Sequence, residues 1–160
     1  MESGNQQSQQ RDRIHIDESH HEIYVALTPS KEKELPGEEG HKSLFASMKN
    51  VFMLAVFIGY RQKKREPLKS KVGIFSWAQL SYEKDVPLLR ALALAETKQL
   101  EVLANQGEIL TVAEEYANIG IIEIKEKIAD MPDNRIMHLV SLLGSCIPDD
   151  LIIGLVEDAN

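Results

Sequence analysis

Apolar side chains recur along this chain mainly at helical spacing. The strongest segment runs over about 44–60, opened by Ser43, where Phe45, Met48, Phe52, Ala55 and Gly59 form one stripe. Val51, Leu54 and Ile58 widen that stripe until little polar surface remains, which predicts a helix central in the core. Gly59 near its end predicts either a cap or a close helix contact. A second helix is predicted over about 86–104, with Asp85 as cap and Pro87 in the first turn, where a missing N–H is harmless. Its Leu89, Leu92, Ala93, Leu100 and Leu103 share a face, and Asn105 and Gly107 stop it. Thr111 and Glu114 have capping-box spacing and open a helix of about 112–129. There Ala113, Tyr116, Ala117, Gly120, Ile121, Ile124 and Ile128 recur at helical intervals. Asp133 caps a further helix through Leu143, and Gly144 closes it. Ser19 and Glu22 predict a short helix at 20–27, although "HEIYVALT" would also suit a strand.

These elements predict an all-α fold: a bundle of four to six helices, with room for a short strand pair near 72–80 or at the C-terminus. The "PDDLIIGLV" stretch would start a last helix at Pro148 or form a strand. Residues 1–19 read as a disordered tail, since "MESGNQQSQQRDR" offers nothing to bury. Residues 20–42 read as a short N-terminal element and a linker, with two Pro and two Gly in 29–42. Residues 43–160 read as the helical domain. Helices this short need one another, so each is expected to pack its apolar face on its neighbours.

Composition adds one point of interest. A chain of 160 residues with 43% hydrophobic content is one ordinary domain. Its net charge of −7 is unevenly spread. Residues 1–40 carry −5 and 76–160 carry −9, but 41–75 carry +7. An acidic body with one basic segment suits either a polyanion contact or pairing of that segment with the body's own carboxylates.

The basic segment follows directly on the apolar run. In "VFMLAVFIGYRQKKREPLKSK", residues 51–60 are uncharged, and 61–71 hold six Lys or Arg and one Glu. A membrane span wants about 20 apolar residues. Asn50 and Lys49 end this run after ten, so a buried helix is expected and no membrane contact. The first nineteen residues contain no apolar signal-peptide core, and Cys146 is the sole cysteine. Both fit a cytoplasmic protein.

Catalytic patterns are lacking. "GEEGHKS" at 37–43 has the wrong glycine spacing for a P-loop and no strand before it. His15, His20, His21, His41 and His138 form no metal-ligand spacing, so no metal and no cofactor is expected. Cys146 reads as a small buried thiol, and His138 as a partly buried helix residue. Glu96 and Glu115 fall near apolar stripes and need partners. An ion pair with a basic side chain from 61–71 is the simplest. The alternative is a small metal-dependent nuclease, with Glu96, Glu115 and Glu123 gathered around a metal.

The candidate site is therefore the basic loop: Arg61, Lys63, Lys64, Arg65, Lys69 and Lys71. Clustered cations suffice to neutralise phosphates. Tyr60, Phe75 and Trp77 lie nearby in sequence and would suit stacking on unpaired bases. Pro67 speaks against a groove-reading helix, so binding would be directed at the backbone. A homo-oligomer joined through Ile119, Ile122 and "LIIGLV" is a further reading.

Three segments resemble one family, the small proteins associated with bacterial DNA phosphorothioation (Dnd) gene clusters. They are "LFASMKNVFMLAVFIGYRQKKREPL", "LLRALALAETKQLEVL" and "VAEEYANIGIIEI", which lie in matching order and spacing within the region of likeness, 44–127. The resemblance implies an accessory role in modification-dependent restriction or phage defence, with other proteins of that system as partners. It supplies no catalytic residues. The expected function is thus a non-enzymatic adaptor that touches DNA through the basic loop.

Overall fold

The computed structural model describes residues 11–29, 43–131 and 133–146. Strand β1 (Arg13–Asp17) leads through a 3-10 turn into α1 (His21–Leu27). Then follow α2 (Met48–Gln62), β2 (Lys71–Ser76), α3 (Asp85–Thr97), α4 (Gln106–Ile124) and α5 (Arg135–Gly144). Among the described residues the fold is mainly α with one antiparallel strand pair, as the sequence pattern implies. The expected linker up to residue 42, with its P-loop-like stretch and His41, and the expected C-terminal helix or strand lie outside the described residues.

The strand pair differs from expectation in its partner. Residues 71–76 pair with Arg13–Asp17, which the sequence placed in the tail. The ladder sets Ile14 opposite Phe75 and Ile16 opposite Val72, with a bulge after Ile14. Ile14 and Ile16 are buried while Arg13 is exposed, the period-two alternation of a half-covered strand.

Helices α2 and α4 form the centre. Val51, Phe52, Ala55, Val56, Ile58 and Gly59 of α2 are all buried, so its near-continuous apolarity is used on almost every side. The two helices cross where Gly59 meets the backbone of Tyr116 and Gly120 meets that of Ala55. A Cβ on either glycine would overlap a carbonyl oxygen of the facing helix. Gly59 is therefore a close-contact residue; the cap of α2 comes later, at Lys63.

Several boundaries moved for identifiable reasons. Helix α2 begins at Met48 rather than near 44, because the Phe45 N–H donates to the Leu27 carbonyl at 3.2 Å and ties residues 44–47 to the end of α1. The helix predicted over 86–104 is broken after Thr97. The Thr97 hydroxyl donates to the Ala93 carbonyl, Lys98 turns left-handed (φ 56°), and a 3-10 turn follows over Leu100–Ala104. The break leaves Leu100 exposed and buries Val102. Asn105 starts α4 by accepting the Glu108 N–H at 3.1 Å. Thr111 lies inside that helix, donating to the Gly107 carbonyl, so Thr111 and Glu114 form no capping box. Nor do Ser19 and Glu22: Asp17 caps that turn by accepting the Ser19 N–H. At α5, Asn134 at φ 59° stands in the cap position expected of Asp133.

Candidate nucleic-acid interface

Helix α2 ends in a doubly bonded reversal. The Lys63 N–H donates to the Tyr60 carbonyl at 2.9 Å and the Lys64 N–H to the Gly59 carbonyl at 3.4 Å, with Lys63 at φ 52°. This is a Schellman closure, and its left-handed position favours glycine. A lysine there costs about 1 kcal/mol. Lys63→Gly is therefore expected to raise stability by about 1 kcal/mol, read as a higher urea midpoint.

The chain beyond Lys63 is held from beneath. The Glu66 N–H donates to the Glu115 carbonyl at 3.2 Å, and the Asn118 amide donates to the Glu66 carbonyl at 3.2 Å. At the far end the buried Asp17 carboxylate accepts the N–H of Lys69 at 2.7 Å and that of Ser70 at 3.4 Å. Its other oxygen accepts the Ser19 hydroxyl at 2.7 Å and the Ser19 N–H at 3.1 Å. The Ser19 hydroxyl, reinforced by the backbone N–H groups and opposed by burial, holds Asp17 well below the usual carboxylate range. The loop is thus exposed but its backbone is fixed.

The six cations singled out from the sequence divide into two kinds. Both arginines turn onto the body's carboxylates. Arg61 grips Glu123 with two bonds of 2.7 and 2.8 Å, and also donates to Ser145 and Cys146. Burial alone would raise the Glu123 pKa, but hydrogen bonds from Lys127, Arg61 and Gln62 bring it below the ordinary value. Arg65 reaches Glu96 at 3.5 Å and Glu115 at 3.3 Å. That is the pairing expected for those two glutamates.

The four lysines remain outward. Lys63, Lys64 and Lys71 are exposed and make no salt bridge among the described residues. Lys69, with its side chain 85% exposed, meets Glu66 only at 3.9 Å. A contact that long and wet is worth little.

The aromatic expectation holds only in part. Phe75 and Trp77 are buried, with Phe75 edge-on to Phe52 at 5.5 Å, so neither can stack on a base. Tyr60 is exposed beside the lysines and rests edge-on against Tyr116 at 5.6 Å.

Beneath the loop, six of the seven residues of the "EEYANIG" stretch have identifiable places. Glu114 is buried and ties β1 to α4, accepting the His15 N–H at 2.7 Å and pairing with Arg11 at 2.7 Å. Burial outweighs those partners and pushes its pKa up. Glu115 and Asn118 hold the loop, Ala117 is buried in the core, and Gly120 sits at the α2 contact. The Tyr116 hydroxyl donates to Glu96 at 2.5 Å; burial and that bond push the phenol up to about 12.

Sequence reasoning missed Asp17 and Asn118 as loop anchors. Nothing local marks either, since their partners lie 52 residues away in the chain. Glu96, Glu115 and Glu123 are engaged by guanidinium groups, and no group of three metal-ligating side chains occurs among the described residues. A shallow cavity of about 240 Å³, between the start of α2 and β2, is lined by Ser47, Met48, Lys49, Ile74, Phe75 and Gln79. Its two reactive side chains are engaged elsewhere: the Ser47 hydroxyl donates to Asn50 at 3.3 Å, and Lys49 pairs with Asp85 at 3.0 Å. No described helix is long and apolar enough to cross a membrane.

No curated protein and no solved structure matches the chain. One family model does, that of DNA sulphur modification system-associated protein 4, over residues 13–146. The match extends beyond 44–127 at both ends, taking in β1 and α5. The chain belongs to this family of DNA sulphur modification system-associated proteins.

Proposed function

We propose that this protein is a non-enzymatic adaptor of a DNA sulphur modification system, serving restriction or phage defence, and that it touches the nucleic-acid backbone through Lys63, Lys64, Lys69 and Lys71. One observation carries the reading: four lysines stand in solvent on a loop whose backbone is fixed by Asp17, Glu115 and Asn118. Fixing the backbone lowers the entropy lost on binding, while the lysine heads stay hydrated and mobile. Arg61 and Arg65 act as struts to the body's carboxylates rather than as phosphate ligands. Their engagement of Glu96, Glu115 and Glu123 also favours an adaptor over a metal-dependent nuclease, which would need those carboxylates for metal.

Fluorescence anisotropy with a labelled duplex and a labelled single strand tests the contact. Lys63→Glu with Lys64→Glu is expected to weaken binding at least about tenfold and to lower the salt slope by about two. Arg61→Ala is expected to leave that slope unchanged. Salt-independent binding, or a double reversal without effect, would exclude the contact.

A further inference from the structure

The aromatic ring at the end of α2 stands on a rigid mount. Tyr60 is 43% exposed, and its carbonyl is tied by the Lys63 N–H at 2.9 Å. Its ring meets that of Tyr116 at 5.6 Å with an interplanar angle of 81°. Tyr116 is itself buried, and its hydroxyl donates to Glu96, which pairs with Arg65 at 3.5 Å. A ring held in this way loses little freedom when another group settles on it. An edge-on neighbour covers at most one face of a ring, so Tyr116 leaves Tyr60 a face for a second stacking partner. Lys63 and Lys64 follow Tyr60 by three and four residues, and both are exposed.

We propose that Tyr60 makes this site selective for single-stranded DNA over duplex, by stacking on an unpaired base while Lys63 and Lys64 hold the adjoining phosphates. The inference rests on the lysine contact proposed above and adds an uncharged element to it. Lysines alone would favour the duplex, whose phosphates are the more densely spaced. In a duplex both faces of each base are covered by neighbours, and freeing one costs unstacking and unpairing. An unpaired strand offers its base faces without that cost. Every base has such a face, so a tyrosine platform adds affinity for the single strand without reading its sequence. The two substrates share the lysines and differ in their use of the ring.

Fluorescence anisotropy of the full chain tests this, with a labelled oligothymidine strand and a labelled duplex of the same length, each over a series of salt concentrations. The parent is expected to bind the single strand several-fold more tightly than the duplex. Tyr60→Leu is expected to weaken single-strand binding about tenfold, with the duplex affinity and both salt slopes unchanged. A packing defect would weaken both substrates alike, so the split separates stacking from structure. Tyr60→Trp keeps a ring and should retain the preference. A parent that prefers the duplex, or a Tyr60→Leu variant that loses equally on both substrates or on neither, would overturn the stacking role and leave the lysine contact standing. Binding of neither substrate, or binding without salt dependence, would overturn the lysine contact and this inference with it.

Discussion

Gly120→Ala is expected to destabilise the protein by about 3–4 kcal/mol, the largest stability loss predicted for a single methyl group. The added Cβ would overlap the Ala55 carbonyl oxygen and lie 2.7 Å from its carbon and 2.9 Å from the Gly59 nitrogen. An ordinary carbon–oxygen contact is about 3.3–3.6 Å. A flexible side chain could swing away, but backbone cannot, so α2 and α4 must separate along their whole contact. Both helices carry core residues that such a separation would disturb: Phe52, Ala55 and Val56 of α2 and Ala113, Ala117 and Ile121 of α4 are all buried. Gly59→Ala should behave similarly, through Tyr116, and the double variant should fall short of the sum because both relieve the same contact. At about 2–4 °C per kcal/mol for this chain length, the melting temperature should fall by about 10 °C. Gly144→Ala is the control: its Cβ would meet nothing within 4 Å, and a helical alanine there should be neutral or slightly stabilising. A Gly120→Ala melting point within about 2 °C of the parent would refute the close-crossing account.

The second large effect belongs to Asp17. Asp17→Ala leaves the N–H groups of Lys69, Ser70 and Ser19 without their acceptor and should cost about 2–4 kcal/mol at neutral pH. The loss should depend on pH with a definite sign. The folded protein holds the Asp17 pKa below its unfolded value. The group's contribution is therefore complete above the unfolded pKa of about 3.9 and is lost as pH falls from there. Urea unfolding of the parent and of Asp17→Asn should show a gap that is widest near neutrality and narrows below about pH 4. A gap that stays constant on acidification would show that the carboxylate charge is not what holds the loop. Glu114 has the opposite sign: with its pKa raised, its contribution to stability falls as pH rises above the ordinary glutamate value.

Much of the core was legible because its cause is local. The all-round apolarity of residues 51–59 marked α2 as central, while Gly59 left a cap and a close contact equally open, and only its place against Tyr116 decides for the contact. Glu96 and Glu115 announced themselves as carboxylates near apolar stripes with a basic segment available, and Arg65 supplies the partner. What could not be read depends on distant groups. β1 is five residues long, abuts a polar stretch and owes its form to β2. Glu114 fits a capping box by spacing, yet Arg11 and the His15 N–H draw it into the interior. The basic loop could be counted but not sorted. Arginine's planar fork suits carboxylate pairs, whereas lysine's hydrated head favours water, and only coordinates reveal that division.

The pairing of β1 with β2 also bears on how the chain is made. During synthesis β1 leaves the ribosome first, yet Lys69, whose N–H Asp17 accepts, follows 52 residues later. At about 5–20 residues per second, the first strand waits several seconds for its mate. The nascent chain must therefore carry Ile14 and Ile16 without their strand partner through that interval, and the clasp on the loop can close only after α2, which lies between the two in the chain, has been made.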